Sequence, residues 1–203
     1  RGLGDVYKRQ PSDKLKTMVQ IEDFVAHSPV SQEVIAAYRD RVPSEIVEIW
    51  EQYGYGTFGE GFIRVINPSV FEAELGDRIG KTQGDGIAIP VMVTALGDLI
   101  TWEPSVDSLV AILFRKFETV GLGSPKTFLG LTRLDGAEHL EEEFAWDPYP
   151  EAVARQGAVT FDESFIFVPL PSLGGPGTVD TLQKRPTISA IQVMVDLQGP
   201  IGH

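Results

Sequence analysis

The run from Ile87 to Trp102, IAIPVMVTALGDLITW, decides the fold class. It holds two apolar stretches, 87–95 and 99–102, that are rich in the β-branched residues typical of strands. Gly97-Asp98 stands between them, and glycine accepts the positive φ angles that tight turns require. The run therefore predicts a β-hairpin, and Leu109–Phe114 is a third apolar run of the same kind.

Two helices are predicted ahead of the hairpin. The first is Ser31–Tyr38, and the second begins at Pro43-Ser44-Glu45, with Ser44 as its N-cap. The second carries apolar residues at the i, i+3, i+4, i+7 spacing of one helix face: Ile46, Ile49, Trp50 and Tyr53. After a Gly-rich turn, Phe62–Ile66 predicts a strand. Asn67-Pro68 then begins a further helix, because asparagine caps well and the fixed φ of proline suits the first helical residue. The apolar stripe expected on that helix is Val70, Phe71 and Leu75.

The second half of the chain mixes helices and strands. The cluster of Gly121, Gly123 and Pro125 is typical of a break and predicts a boundary between two packed parts. Beyond it, the patterns predict helices over 136–144, 149–156 and 187–197 and a strand over 164–168. Strands and helices do not alternate regularly, so the fold class predicted is α+β, with a mixed or antiparallel sheet and flanking helices in two packed subdomains. The residues expected in the core are Trp50, Phe71, Leu75, Ile112, Phe114 and Val195.

Composition excludes several classes of protein. The chain has 203 residues, of which 42% are hydrophobic and 23% charged, as in soluble globular proteins. It has no cysteine, which excludes disulfide scaffolds, cysteine-ligated zinc and thiol catalysis. The net charge of −12 argues against a nucleic-acid binder, because phosphate contacts need clustered Lys and Arg. No run approaches the ~20 apolar residues of a membrane span, and no signal-peptide pattern occurs, so we expect a cytoplasmic protein without a membrane partner.

The first ten residues, RGLGDVYKRQ, differ from the rest of the chain. They show no helical or strand periodicity and carry three basic residues in an otherwise acidic sequence. The segment 1–10 resembles a translated sequencing adapter, and the alternative is a disordered N-terminus. In either case we expect it to pack against nothing, so that its deletion leaves the melting temperature within about a degree.

One glycine motif matches a nucleotide-binding fingerprint. Gly54-x-Gly56-x-x-Gly59 has the spacing of the dinucleotide motif, but that motif follows a strand and opens a helix. Here a predicted helix precedes it and a predicted strand follows. We therefore interpret it as a helix-to-strand turn that binds no nucleotide, and we expect no cofactor.

No compact metal or catalytic motif is present. The histidines are His27, His139 and His203, and none has a His or Cys partner at i+2 or i+4. Asp135, Glu138 and His139 can share a helix face, but a solvated acidic helix is the favoured interpretation. Pairs of carboxylates for acid–base catalysis meet only in the fold, and nothing in the sequence recommends one.

The acidic residues concentrate in one segment. Between Asp135 and Glu163 nine acidic residues stand against one base, Arg155, which gives a net charge of −8. Phe144, Trp146 and Tyr149 are interleaved with them. Such a segment is a candidate docking surface for a basic protein, because aromatic residues anchor partners and charges steer them. The candidate binding residues are Asp135, Glu138, Glu141, Glu142, Glu143, Trp146 and Asp147. The alternative is a solvated helical face whose aromatic residues belong to the core.

Short motifs resemble two known families. The GAD-like domain is indicated by Trp50-x-x-Tyr53-Gly54, Gly61-Phe62, Val65-x-Asn67-Pro68 and Ala95-Leu96-Gly97-Asp98-Leu99-Ile100-x-Trp102, in which Leu96 replaces the expected phenylalanine. The C-terminal part is similar to the C-terminal domain of type VI secretion immunity proteins that neutralise DNase toxins, through Phe167-Val168-Pro169, Leu173-Gly174-Gly175, Leu182-Gln183-Lys184 and Gly199-Pro200-Ile201. The order of these motifs along the chain is the specific part of the resemblance.

This resemblance implies both an organisation and a function. It implies a GAD-like domain over 17–123 and an immunity-protein C-terminal domain over 124–203. It further implies a cytoplasmic protein without catalytic activity that binds and neutralises one cognate effector toxin, with a basic DNase as the partner, by covering its active or DNA-binding site. Two other functions remain open at this point: a small cytoplasmic enzyme that uses buried carboxylates, and a translation-associated accessory binding module.

Overall fold

The run Ile87–Trp102 forms the predicted hairpin and lies in the middle of a sheet. The computed structural model describes residues 19–202. Among these residues, a sheet of seven antiparallel strands has its strands side by side in sequence order. They are β1 (Val25–Ser28), β2 (Tyr55–Phe58), β3 (Ile63–Val65), β4 (Ile89–Thr94), β5 (Leu99–Glu103), β6 (Ser108–Leu113) and β7 (Glu118–Gly123). Gly97 has a φ of 78° in the β4–β5 turn, as a tight hairpin requires. The α+β class is confirmed.

Helices cover both faces of this sheet. The helices of the described range are α1 (Gln32–Tyr38), α2 (Ser44–Gln52), α3 (Pro68–Leu75), α4 (Pro125–Asp135), α5 (Ala137–Phe144), α6 (Pro148–Gln156) and α7 (Thr187–Gln198). Side chains of α3 and α7 pack in one core cluster, and those of α2, α4, α5 and α6 pack in the other. Asn67 caps α3 as predicted, because its side chain accepts a hydrogen bond from Ser69 N at 3.0 Å.

The two covered faces explain why the central strands are apolar without alternation. Every residue of β4 and β5 is buried. Successive strand residues point to opposite faces, so Met92 and Ile100 join one core cluster while Val93 and Leu99 join the other. The core residues predicted from the sequence are all buried: Trp50, Phe71, Leu75, Ile112, Phe114 and Val195.

Two details of the helix predictions are wrong. Ser44 is the first residue of α2, and Pro43 occupies the N-cap position without a side-chain hydrogen bond. The Ser44 hydroxyl instead lies 3.3 Å from a carboxylate oxygen of Glu45. Val70 does not belong to the apolar stripe of α3, because it is 44% exposed whereas Phe71 is buried.

Five strands and α-helices of the described range were not predicted: β1, β2, β7, α4 and the strand Leu182–Pro186. Gly121 and Gly123, interpreted as a break, lie in β7, where pairing with β6 overrides their weak strand propensity. Ser124-Pro125 then begins α4 directly, and the Ser124 hydroxyl accepts a hydrogen bond from Thr127 N at 3.1 Å. In β2, Gly56 is required because a Cβ atom there would lie 2.4 Å from Val25 O.

The C-terminal part adds a second, two-stranded sheet. It pairs β8 (Glu163–Phe167) with β9 (Leu182–Pro186), and α7 follows β9 directly. Phe165 N donates to Ala95 O at 2.7 Å, which ties β8 to the β4–β5 turn. The predicted strand at 164–168 and helix at 187–197 are therefore confirmed in position.

Two buried arginines of the N-terminal half reach into the C-terminal half. Arg64 on β3 is 1% exposed, and its guanidinium donates to Ser164 Oγ at 2.5 Å, to Thr187 Oγ1 at 3.2 Å and to the carbonyl oxygen of Phe161. No carboxylate lies among its hydrogen-bond partners in the described range. Removal from water lowers the pKa of Arg64 to about 10.

Arg115 makes the second connection, and it has a carboxylate partner. Its Nε donates to Asp98 Oδ2 at 3.0 Å, and its Nη2 donates to the carbonyl oxygen of Phe144 at the end of α5. Asp98 lies in the β4–β5 turn and also accepts a hydrogen bond from the Thr94 hydroxyl at 3.3 Å. Both ends of the ion pair are buried, with side-chain exposures of 4% and 0%.

The division of the chain at 123/124 stays a prediction. β7 ends at Gly123 and α4 begins at Pro125. Side chains from both sides of this point share one core cluster, and the rings of Phe62 and Phe144 lie 5.8 Å apart between centroids. The predicted tail, 1–10, lies outside the described residues.

Candidate interaction surface

The acidic segment, 135–163, runs from the last residue of α4 through the short helices α5 and α6 to the first residue of β8. Gly136, with a φ of 51°, separates α4 from α5, and Ala145 ends α5 in the left-handed conformation with a φ of 45°. The Glu141 carboxylate accepts a hydrogen bond from Asp147 N at 2.7 Å, which holds the turn between α5 and α6. Pro148 is the first residue of α6. These turns give the segment a defined place on the surface.

Helix α5 divides its residues between the core and the surface. His139, Leu140 and Phe144 are buried. Glu138 and Glu142, four residues apart, are exposed on the opposite side of the helix, as a repeat of 3.6 residues per turn dictates. Of the predicted acidic residues, four lie in α5 and do not all face the same way, whereas Asp135 ends α4 and Asp147 directly precedes α6.

The acidic side chains differ in whether they form hydrogen bonds or ion pairs within the protein. Glu141 holds the turn described above, Glu151 pairs with Arg155, and Glu163 accepts from Thr160 N at 3.1 Å. Glu143 is half-buried, and burial raises its pKa while neighbouring His139 opposes that shift. Within residues 19–202, the carboxylates without a hydrogen bond or ion pair in this segment are those of Asp135, Glu138, Glu142, Glu143, Asp147 and Asp162.

The aromatic residues of the segment face inward. Phe144 is fully buried, and Tyr149 is 5% exposed with its ring centroid 5.2 Å from that of Phe62. Trp146 is half-buried, and its indole Nε1 is buried without an acceptor in the part of the chain that the structure describes. The surface is therefore mainly carboxylate, and Phe144 and Tyr149 belong to the core.

Three acidic residues of the N-terminal half lie beside this segment, and the sequence analysis missed them. Glu22, Asp23 and Glu60 line a cleft of about 170 Å³ that also borders Ala137 at the start of α5 and Arg133 of α4, whose guanidinium lies 3.9 Å from the Glu22 carboxylate. Asp23 Oδ2 accepts a hydrogen bond from Glu60 N at 2.8 Å. No local pattern signals this meeting, because the residues are far from α5 in the sequence. We call the following set the acidic surface: Glu22, Asp23, Glu60, Asp135, Glu138, Glu142, Glu143 and Asp147.

The glycine motif lies away from any helix start. Gly54 follows α2, Gly56 lies in β2 and Gly59 lies in the β2–β3 turn, so the predicted helix-to-strand order is confirmed. A bound pyrophosphate needs a helix N-terminus after such a motif, and here the strand β3 follows it. That the motif binds no nucleotide stays a prediction.

The set considered for a metal does not converge. His139 is buried while Asp135 and Glu138 are exposed. No group of three or more His, Asp or Glu side chains among residues 19–202 is arranged to hold a metal ion. In the same range, no helix combines the length and apolar character that crossing a membrane demands.

Both fully buried carboxylates of the described range have internal partners. Asp98 is bonded to Arg115, and Glu103 accepts from Thr82 N at 2.9 and 3.1 Å. Burial raises the pKa of each. Asp98 lies in the β4–β5 turn, and Glu103 is the last residue of β5. Each carboxylate accepts a hydrogen bond that supports the fold.

The fold is similar to that of a solved structure. The chain superposes on the crystal structure of Atu4351 from Agrobacterium tumefaciens with a TM-score of 0.65 and 16% sequence identity, over 84% of each chain. At this level of identity the likeness shows the fold alone. No curated protein matches the sequence.

Two family models match the sequence and together cover most of it. The model of the GAD-like domain matches residues 15–115, which include the hairpin motif with Asp98. The model described as "T6SS immunity protein Tdi1, C-terminal" matches residues 128–197, where T6SS denotes the type VI secretion system. This second range includes α5, α6, β8, β9 and most of α7. The chain therefore combines a GAD-like domain with the C-terminal domain of the T6SS immunity protein Tdi1 family.

Proposed function

We propose that this immunity protein binds a cognate T6SS effector in the cytoplasm and neutralises it by covering the active or DNA-binding site of a nuclease domain. The observation that carries the proposal is the match of residues 128–197 to the immunity family. The partner's nuclease activity is the finer part of the proposal. It is supported by charge, since a nuclease must hold a polyanion and therefore tends to have a basic cleft.

The acidic surface is the part of the protein that suits such a cleft. Its carboxylates come from both halves of the chain, and Glu138 and Glu142 project from α5 without internal partners in the described range. The net charge of −12 adds a long-range attraction toward a basic domain. We therefore propose that this surface competes with DNA phosphates for the basic groups of the toxin.

The proposed action is binding and not catalysis, and it requires no cofactor. Asp98 and Glu103, which an enzyme with buried carboxylates would use, already hold Arg115 and the Thr82 amide. Nucleic acid and membrane are not proposed as partners. Growth rescue tests the whole proposal: co-expression with the effector gene adjacent to this one should restore growth, and the two purified proteins should form a complex. If neither occurs, the immunity function is wrong for that pair.

Steering by the acidic surface has a separate test. In the double variant Glu138→Gln/Glu142→Gln, association with the toxin should slow by about 3- to 10-fold at low salt, with little change in dissociation, because surface charges act mainly on the on-rate. The matched control is Glu33→Gln/Asp40→Asn, which removes the same charge from exposed positions in and just after α1. Equal association rates for the two double variants would reject this role for the acidic surface.

A further inference from the structure

A second surface has a different chemistry. An apolar groove of about 420 Å³ runs between α7 and the segment that leaves β8. Four large apolar side chains line it while remaining 45–63% exposed: Val168, Leu173, Val193 and Leu197. We call these residues, with Arg185, the apolar groove.

The groove is part of the surface and not an unfilled core. The inner face of α7 is already packed, since Ile191, Met194 and Val195 are buried. Val193 and Leu197 stand four residues apart on the outer side of the same helix, one turn above the other. Four exposed large hydrophobic residues around one depression are more than single scattered residues on a soluble surface, and such patches mark interaction sites.

One cation borders the groove. Arg185 is exposed and lines it, donating only to the carbonyl oxygen of Lys184 at 3.0 Å and to the side chain of Gln183. It has no carboxylate partner among residues 19–202. Neighbouring Lys184 is engaged differently, because its Nζ donates to the carbonyl oxygens of Gln156 and Ala158 at 2.8 and 2.9 Å.

Charge distinguishes between the occupants of such a groove. A second copy of this chain brings another net charge of −12, and self-repulsion opposes that association. A positively charged toxin lacks this penalty. Arg185, which is exposed and has no carboxylate partner among residues 19–202, favours an occupant that places a carboxylate at the end of an apolar stretch. The groove also lies within the range matched by the immunity family.

We propose that the apolar groove is the anchoring site for the toxin, and that its occupant is a toxin segment with two or three apolar side chains and one carboxylate that pairs with Arg185. This inference rests on the proposed function and adds to it a second contact. The apolar side chains supply most of the binding energy, as buried anchors do, while the acidic surface determines how fast the two proteins meet.

The test uses the toxin domain of the adjacent effector gene, inactivated at its catalytic site, and the full-length immunity protein. In Val193→Gln/Leu197→Gln the dissociation constant should rise by about 10- to 100-fold, mostly through faster dissociation. Both side chains are more than half exposed, so the variant should fold normally. The matched control is Val70→Gln/Ile87→Gln, which removes two exposed apolar side chains that belong neither to the groove nor to the acidic surface, and it should bind like the wild type.

The charge of Arg185 is tested in the same assay. Arg185→Gln should weaken binding by about 3- to 10-fold and should lose the part of the salt dependence due to this pair. If the wild type binds the toxin and Val193→Gln/Leu197→Gln binds equally well, the groove inference is overturned while the immunity function stands. If the wild type does not bind, both fall for that pair.

The oligomeric state of the protein tests the alternative occupant of the groove, which is a second copy of this chain. By light scattering after size exclusion, the wild type alone should be a monomer. A dimer that Val193→Gln/Leu197→Gln dissociates would show that a second copy fills the groove and would overturn the inference.

Discussion

Arg64 and Arg115 are both buried and both reach from the GAD-like half into the C-terminal half, yet they are stabilised differently. Arg115 bonds to the Asp98 carboxylate and to one carbonyl oxygen. Arg64 bonds only to neutral oxygens, among them the hydroxyls of Ser164 and Thr187. The charge of Arg115 is balanced by a carboxylate, whereas Arg64 is a desolvated cation whose hydrogen-bond partners are all neutral.

This difference predicts how much each arginine contributes to the free energy of unfolding. An ion pair whose partners are both buried is costly to break from one side, because the remaining charge stays buried and unpaired. A guanidinium that is surrounded by neutral acceptors is buried at the cost of its own desolvation free energy. Replacing it with an apolar side chain removes that cost, which offsets part of the free energy lost with its hydrogen bonds. Arg115 should therefore matter more for stability than Arg64, although Arg64 has more hydrogen bonds.

The largest effect is expected from Arg115→Met. This change leaves the Asp98 carboxylate buried without its cation and should lower the free energy of unfolding at pH 8 by about 3–5 kcal/mol. Urea unfolding measures the loss. The double variant Asp98→Asn/Arg115→Met is the control, and it should recover more than half of the deficit because the unpaired charge is gone. A double variant no more stable than Arg115→Met would contradict this account.

The same variant should respond to pH in a defined direction. Burial already raises the pKa of Asp98 above its ordinary value of 3.8, and Arg115 opposes the shift, so removing Arg115 raises that pKa further. A carboxyl with a raised pKa in the folded state favours folding at low pH, and this contribution is lost as pH rises through that pKa. The deficit of Arg115→Met relative to the wild type should therefore be smaller at pH 5 than at pH 8. Equal deficits at both pH values would exclude the buried charge as the cause.

A smaller loss is expected from Arg64→Met, about 1–3 kcal/mol, which reflects buried oxygens left without a donor. This deficit should shrink less between pH 8 and pH 5 than that of Arg115→Met, because Asp162 and Glu163 attract Arg64 without a hydrogen bond to it. Arg64→Lys serves as the comparison, since a lysine keeps the charge but loses the planar fork of donors. A deficit as large as that of Arg115→Met would remove the distinction between the two arginines.

The smallest effect is expected at the surface. Glu138→Gln/Glu142→Gln should change the free energy of unfolding by less than about 0.5 kcal/mol, because both side chains are exposed and unpaired in the described range. Thermal and urea unfolding measure this directly. A larger loss would assign these carboxylates a part in the fold and would weaken the interpretation of their binding variants.

Local signals account for the elements that the sequence predicts correctly. The β4–β5 hairpin follows from two apolar runs around Gly97-Asp98, and α3 follows from Asn67-Pro68. β7 was missed because its glycines are turn signals locally, and only the pairing with β6 makes them a strand. α4 had a usable signal, since Ser124-Pro125 is the same kind of helix start as Asn67-Pro68.

The candidate surface was predictable only in part. The acidic character of α5 is visible in the sequence, and so is its position between two turns. Which acids the protein itself holds is not visible, because Glu141 bonds to a backbone amide across a turn. Glu22, Asp23 and Glu60 join the surface through tertiary packing, which no local pattern encodes.

The order of the seven strands has a consequence for how the chain folds during its synthesis. Each strand of the large sheet pairs with its sequence neighbour, so the sheet can assemble hairpin by hairpin while short loops close. Arg64 cannot form its side-chain hydrogen bonds at that stage, because its hydroxyl partners Ser164 and Thr187 are synthesised 100 and 123 residues later. Until then its guanidinium stays hydrated at the surface of an incomplete protein. The desolvation of Arg64 therefore depends on the packing of β8 and α7, which are synthesised after all seven strands of the large sheet.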